Sequence, residues 1–270
     1  MPSDPTPPVS PVASRTFYVP ERCREALAIV YGVGNAGSGA APWKTVAARL
    51  APTVETRAYR LPGRENRLRD PAHTTLVAAA AELAAAVLDD VGNDARPFLL
   101  AGVCSGALIG RVALTLIARD APDVLDAALG LVVIDQTAPT TPIPELSTLP
   151  TPGLRQWLRE HHGTPTEVLD NDKLFAFFEP TLRTDLRMAE TYVHEGEPLT
   201  TPLILVRAAG QTDLDIDLAP WRTDTAGSVL VMDAAGPVGT PTTHPAGLAE
   251  VLRQALDAVM PLASVRRKPQ

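Results

Sequence analysis

Gly102-Val103-Cys104-Ser105-Gly106 sits between an apolar run, Pro97 to Gly102, and a helical run that opens at Ala107. The five residues have the form Gly-x-nucleophile-x-Gly, a sharp turn from strand to helix that holds its central residue in a strained conformation. Positions two before and two after the centre must be small, because a side chain at either collides with neighbouring backbone. Gly102 and Gly106 meet that need around Cys104, whereas around Ser105 the same positions are Val103 and Ala107. Cys104 is therefore the expected nucleophile, and the expected chemistry is covalent acyl transfer through a thioester. The alternative is a buried cysteine that packs as a small hydrophobe.

Outward from this turn, strand and helix patterns alternate. Short apolar runs at Ala26 to Tyr31, Val54 to Tyr59, Pro97 to Gly102 and Ala128 to Ile134 read as strands, followed later by Pro202 to Val206 and Ser228 to Met232. Helical patterns lie between and after them, at Pro42 to Leu50, Thr75 to Leu88, Ala107 to Ala118 and Ala246 to Met260. Such alternation implies an α/β fold with a mostly parallel sheet covered on both faces. From about 150 to 195 the alternation stops and helical pieces dominate (Leu154 to His161, Asp172 to Phe178, Leu182 to Tyr192), the pattern of a lid over the strand ends. One domain over residues 16–265 is expected. The proline-rich residues 1–15 and the basic tail 266–270 read as disordered ends.

The 270 residues, 45% of them hydrophobic, suffice for a sizeable core. A net charge of −7 argues against nucleic acid as a partner. Two cysteines, Cys23 and Cys104, make neither a disulfide framework nor a metal cluster, and no metal site is expected. No signal-like or membrane-spanning stretch is legible, so a cytoplasmic location is expected. Gly32-Val33-Gly34-Asn35-Ala36-Gly37 formally fits a dinucleotide-binding Gly-x-Gly-x-x-Gly, with Glu55 as its acidic partner.

A better account of those glycines comes from Tyr59-Arg60-Leu61-Pro62-Gly63-Arg64-Glu65-Asn66-Arg67-Leu68 and from Gly163 to Leu169 continuing through Leu182-Arg183-Thr184-Asp185-Leu186-Arg187 to Tyr192. These segments, with Gly102 to Gly106, resemble the type II thioesterases that accompany polyketide and nonribosomal peptide synthases. The resemblance runs from about Ala26 to Leu262. It implies an α/β-hydrolase fold with a helical lid, acting on acyl groups presented on phosphopantetheine by an acyl or peptidyl carrier protein, with no cofactor bound to the enzyme itself. The chain departs from the family at three points. Val103-Cys104 stands where His-Ser is usual. Gly34-Asn35-Ala36-Gly37-Ser38 stands in place of "HAGG", and Ala235-Gly236-Pro237 replaces the Gly-Gly-His after the last strand.

His244, the only histidine after the last expected strand, is the expected base. Two aspartates compete to orient it. Asp135, at the end of the Ala128 to Ile134 strand, would emerge at the same sheet edge as Cys104, and its surroundings resemble the synthase-embedded type I thioesterases. Asp213 matches the type II position and is the runner-up. The expected oxyanion donors are the backbone N–H of Ser105 and one from the loop after the first strand, at Asn35 or Ala36. His73, His161, His162 and His194 read as surface residues. The expected outcome is hydrolysis, or transfer and cyclisation, since a cysteine acyl-enzyme keeps the acyl group activated. A dedicated acyltransferase or cyclase, and a non-catalytic protein that holds a tethered intermediate, are the alternatives.

Overall fold

The computed structural model describes residues 15–161, 164–207, 218–236 and 238–266. In chain order the strands and helices are β1 (Phe17–Tyr18), β2 (Ala28–Val33), α1 (Trp43–Leu50), β3 (Val54–Tyr59), α2 (Leu76–Asn93), β4 (Phe98–Val103), α3 (Ser105–Asp120) and β5 (Ala128–Ile134). Three helices follow, α4 (Thr151–Glu160), α5 (Thr166–Leu169) and α6 (Asp172–Glu190), and then β6 (Leu203–Arg207), α7 (Leu218–Thr223), β7 (Val229–Asp233) and α8 (Pro245–Arg266). The seven strands form one sheet in the order β1-β3-β2-β4-β5-β6-β7. Every pairing is parallel except that of β1 with β3, which joins Phe17 to Tyr59.

Strands β2 and β4 are buried along their whole length, as parallel strands covered on both faces must be. On one face Ile29, Tyr31, Phe98 and Leu100 pack with Leu83 and Val87 of α2 and Leu108 and Leu114 of α3. On the other, Val30, Leu99 and Val132 pack with Trp43 and Val46 of α1 and Leu248 and Leu252 of α8. Gly32 is required here, because a Cβ would lie 2.5 Å from the Trp43 ring. Strand β3 reads as polar yet is buried throughout. Its Arg57 pairs with Glu55, Asp90 and Asp94, which makes burial of the charges tolerable. Glu55 also accepts from the Cys23 N–H (2.9 Å), so it is occupied in the core and not free for a nucleotide ribose.

The chain leaves β2 for β3 on one side and returns to β4 on the other, so the order of strands reverses between β2 and β4. That reversal opens a crevice at the strands' carboxyl ends, where ligands bind in such sheets. Over the crevice lies a third apolar cluster, in which Leu154 and Leu158 of α4, Phe175, Leu182 and Leu186 of α6, and Ala36 pack together.

Several elements differ from the sequence expectation, the short helices α5 and α7 among them, which were not expected. Residues 172–190 form one helix and not two pieces, with Pro180 inside it. Proline removes one N–H from the helical ladder, but the buried Phe175, Leu182 and Leu186 hold both halves on one surface. Strand β1 was not expected at all, since two residues carry too little alternation to register.

Candidate active site

Cys104 joins β4 to α3 with φ 50° and ψ −131°, a conformation that non-glycine residues adopt only where the surroundings enforce it. The enforcement is visible on both sides. A Cβ on Gly102 would fall 2.6 Å from the Gly106 carbonyl carbon, and one on Gly106 would fall 2.6 Å from the Gly34 carbonyl oxygen. The Cys104 N–H donates to the Ile134 carbonyl at 2.8 Å, tying the turn to β5. The geometry is that of a nucleophile elbow, and it lies at the β2–β4 crevice.

The half-buried Cys104 thiol is pushed up to about 11, first by burial and then by the negative charge of Asp135. The backbone N–H groups of Ser105 and Ala36 face the sulfur and act in the opposite direction, favouring the thiolate. These two donors come from different elements, Ser105 from the first turn of α3 and Ala36 from the loop after β2. Asn35 plays another part. Its side-chain amide donates to the Ala36 carbonyl at 3.3 Å, bracing the loop from within.

Asp135 follows β5 directly and is also in the left-handed region, with φ 53°. The adjoining backbone is anchored by Trp221, whose buried indole N–H donates to the Gln136 carbonyl at 3.0 Å. The Asp135 side chain reaches solvent at the crevice rim, but the protein crowded around its carboxyl raises its pKa, and a charged His161 opposes that rise. His161 ends α4, with its ring stacked on Trp157 at 3.9 Å between centroids and its Nδ1 2.8 Å from the Trp157 carbonyl.

His244 stands apart from this group. Its Nδ1 is 3.2 Å from the Thr243 hydroxyl, and its backbone N–H donates to the Thr240 carbonyl at 3.0 Å. Among the described residues, no hydrogen bond or ion pair joins His244 to Cys104 or to a carboxylate. Asp213 and His162 lie outside the described residues. Cys104, Ser105, Ala36 and Asp135 are thus brought together, and His244 is held by its own loop.

Of the other histidines, His161 is exposed as expected, while His73 and His194 are half-buried and paired with carboxylates. His194 pairs with the buried Asp224 at 3.1 Å, and Arg111 donates to the same carboxylate. Burial, aided by the Arg111 charge, lowers the His194 pKa. His73 lies 3.1 Å from Glu82. Pairings across such sequence distances leave no local signal. Among the described residues, no cluster of three metal-ligating side chains occurs, and no helix is long and apolar enough to cross a membrane.

The family model for the thioesterase domain matches residues 28–253, which includes the elbow, the loop after β2 and the crevice. The chain belongs to the thioesterase domain family.

This thioesterase is 30% identical over 237 residues to the AMB antimetabolite synthetase AmbE of Pseudomonas aeruginosa, a match covering 84% of the chain but 10% of that protein. It is 27% identical over 212 residues to thioesterase PikA5 of Streptomyces venezuelae, covering 75% of the chain and 71% of the relative. The solved structure of the RedJ thioesterase from the prodiginine biosynthetic pathway of Streptomyces coelicolor superposes with a TM-score of 0.71 at 25% identity, covering 88% of this chain and 90% of that one. The thioesterase is thus an enzyme of α/β-hydrolase fold, as the sheet order and elbow independently indicate. The sequence reading of its site missed Asp185 of α6 and its partner Arg64. Both lie in the segments that carry the family resemblance, but their pairing spans 121 positions and has no local signature.

Proposed function

We propose that this thioesterase acts on acyl groups carried on the phosphopantetheine arm of an acyl or peptidyl carrier protein in polyketide or nonribosomal peptide biosynthesis, through an acyl-enzyme on Cys104. The observation that supports the reading is the convergence of the Ser105 and Ala36 N–H groups on the Cys104 sulfur at the sheet's reversal point. An incoming thioester carbonyl placed against that sulfur has its oxygen within the field of both donors.

In this reading the Cys104 sulfur, having given up its proton, adds to the thioester carbonyl. A carbon–sulfur bond forms and the carbonyl π electrons move to oxygen, where the two N–H groups stabilise them. Collapse of the tetrahedral species expels the pantetheine thiolate, which takes up a proton, and leaves the acyl group on Cys104. His244 carries the proton, with Asp135 orienting it and Asp213 as the alternative. For that role the loop carrying His244 must bring its ring from Thr243 to the sulfur. A second attack, by water or by an amine or alcohol, releases the product. The phosphopantetheine belongs to the carrier, so the enzyme needs no cofactor of its own, and a cytoplasmic site of action fits this partner.

Cysteine at the elbow favours a second reading, a dedicated acyltransferase or cyclase. Transfer from pantetheine to Cys104 exchanges one thioester for another, so the acyl group stays reactive toward amines and alcohols. Incubation with hexanoyl-N-acetylcysteamine, followed by intact-protein mass spectrometry, tests the covalent step. A hexanoyl adduct that is absent in Cys104→Ala is expected, and one that persists there overturns the assignment. Free hexanoic acid against amide or ester product, with nucleophilic acceptors present, separates hydrolysis from transfer.

A further inference from the structure

The loop after β2 is held in place by the helical layer above the sheet. Helix α6 lays one face, Phe178, Leu182 and Asp185, against Gly37. Gly37 has φ +77°, and a Cβ there would meet the Phe178 ring at 2.5 Å and the Leu182 Cβ at 3.3 Å. Only glycine allows this approach. The Gly37 N–H donates to Asp185 Oδ2 at 2.7 Å. The same carboxylate, 3% exposed, accepts two further bonds from Arg64, one to each oxygen, both at 2.7 Å. Arg64 in turn donates to the Ser38 carbonyl at 2.8 Å.

The peptide unit between Ala36 and Gly37 is therefore fixed at both ends: its carbonyl accepts from Asn35 and its N–H donates to Asp185. The preceding N–H, that of Ala36, is the one that faces the Cys104 sulfur. Peptide planes are rigid, so clamping the 36–37 unit restricts the rotation that would swing the Ala36 N–H away. A buried bidentate arginine–carboxylate pair is a stiff anchor for such a clamp.

We infer that Asp185 is a positioning residue for acyl transfer: by holding the Gly37 N–H it aims the Ala36 N–H at the reacting carbonyl, so that the oxyanion site is complete only while α6 is seated on the loop. The inference rests on the proposed Cys104 acyl-enzyme and extends it, since it makes the helical layer part of the catalytic geometry. Arg64 neutralises the buried carboxylate and ties the clamp to Ser38. Lifting α6 would release Gly37 and, with it, one of the two oxyanion donors.

The test compares two reactions of the same thiol in the full chain. Acylation by hexanoyl-N-acetylcysteamine passes through an oxyanion, and alkylation by iodoacetamide does not. Asp185→Ala is expected to slow single-turnover acylation on the order of 10²-fold, the scale set by a misplaced or lost oxyanion donor. Its alkylation rate should fall far less, since alkylation senses the Ala36 N–H only through the thiolate population. Asp185→Asn keeps an oxygen that can accept from Gly37 and should recover part of the acylation rate. Asp185→Ala leaves Arg64 buried without its partner and can fail to fold. The combined Arg64→Met and Asp185→Leu variant removes both charges at similar volume, and it should fold and show the same selective loss. Acylation at the wild-type rate in a folded variant, or an equal loss in both reactions, overturns the inference. A wild-type chain that forms no Cys104 adduct overturns the nucleophile assignment and this inference with it. A wild-type adduct that Asp185→Ala forms equally fast overturns this inference alone.

Discussion

At the end of β4, Cys104 is strained, wedged between two obligatory glycines and faced by two backbone donors from separate elements. Between β7 and α8, His244 sits in a loop whose hydrogen bonds close on themselves. Thr240 accepts from the Thr242 and Thr243 N–H groups, Thr243 from the Thr240 N–H, and the His244 ring leans on Thr243. One region is built outward from the sheet, so that its polar groups point at the Cys104 sulfur. The other is built as a local cap leading into α8. The difference teaches that the thiol and the N–H groups facing it are preorganised in this structure, while the proposed proton transfer requires a rearrangement of the histidine loop. It also accounts for the high thiol pKa: burial and Asp135 oppose the thiolate, and no hydrogen-bonded imidazole among the described residues offsets them.

The largest effect expected is that of Cys104→Ala, which should lower thioester turnover on the order of 10⁴-fold or more and abolish the acyl adduct by mass spectrometry. His244→Ala should lower turnover by about 10² to 10⁴, the range for a general base, but leave the iodoacetamide alkylation rate of Cys104 unchanged. A matching fall in alkylation would show that the two regions are joined at rest, and the contrast drawn above would break. Gly106→Ala drives a methyl group into the Gly34 carbonyl and should separate the loop after β2 from the elbow. Acylation should then fall about 10²-fold, with a lower melting temperature measured alongside.

Asp135→Asn sharpens the comparison through its sign. The Asp135 charge disfavours the thiolate, so removing it lowers the Cys104 pKa from about 11. Alkylation at pH 8 should accelerate, by about tenfold for each unit the pKa falls, while acyl turnover declines if Asp135 orients the base. In the wild type the alkylation rate should climb with pH up to about 11. The smallest effect concerns Glu82, away from the elbow. Burial would raise its carboxyl, but hydrogen bonds from His73, Arg67 and Tyr59 override this and hold it at about 2, below the ordinary 4.5. A lowered carboxyl pKa stabilises the fold above its unfolded value and loses that contribution as pH falls through the folded one. Urea midpoints should therefore decline between about pH 4.5 and 2, and Glu82→Gln should flatten that decline.

Much of the fold was legible because its signals are local. Val54–Tyr59 and Ala128–Ile134 are bounded in the structure as the sequence reading bounded them, and the other expected strands shift by one or two residues. Apolar runs between glycines and prolines leave few alternatives to a buried strand. The histidines were less legible. His194 joins Asp224 and Arg111 through segments that only folding brings together, and no neighbouring residue announces it. The choice between Asn35 and Ala36 as the loop's donor was equally closed to sequence, because it depends on which peptide plane faces the sulfur.

The sequence by itself determined the strand–turn–helix at Gly102 to Gly106, the residue at its centre and the order of the longer strands and helices, since each follows from side-chain size and periodicity within a few positions. Tertiary structure decided which groups meet Cys104. The Ala36 N–H faces its sulfur, Asp135 bears on its charge, and Asp185 grips Gly37 from 148 positions away. Such contacts are set by how helices and loops close over the sheet, where burial and hydrogen-bond satisfaction act across the whole chain.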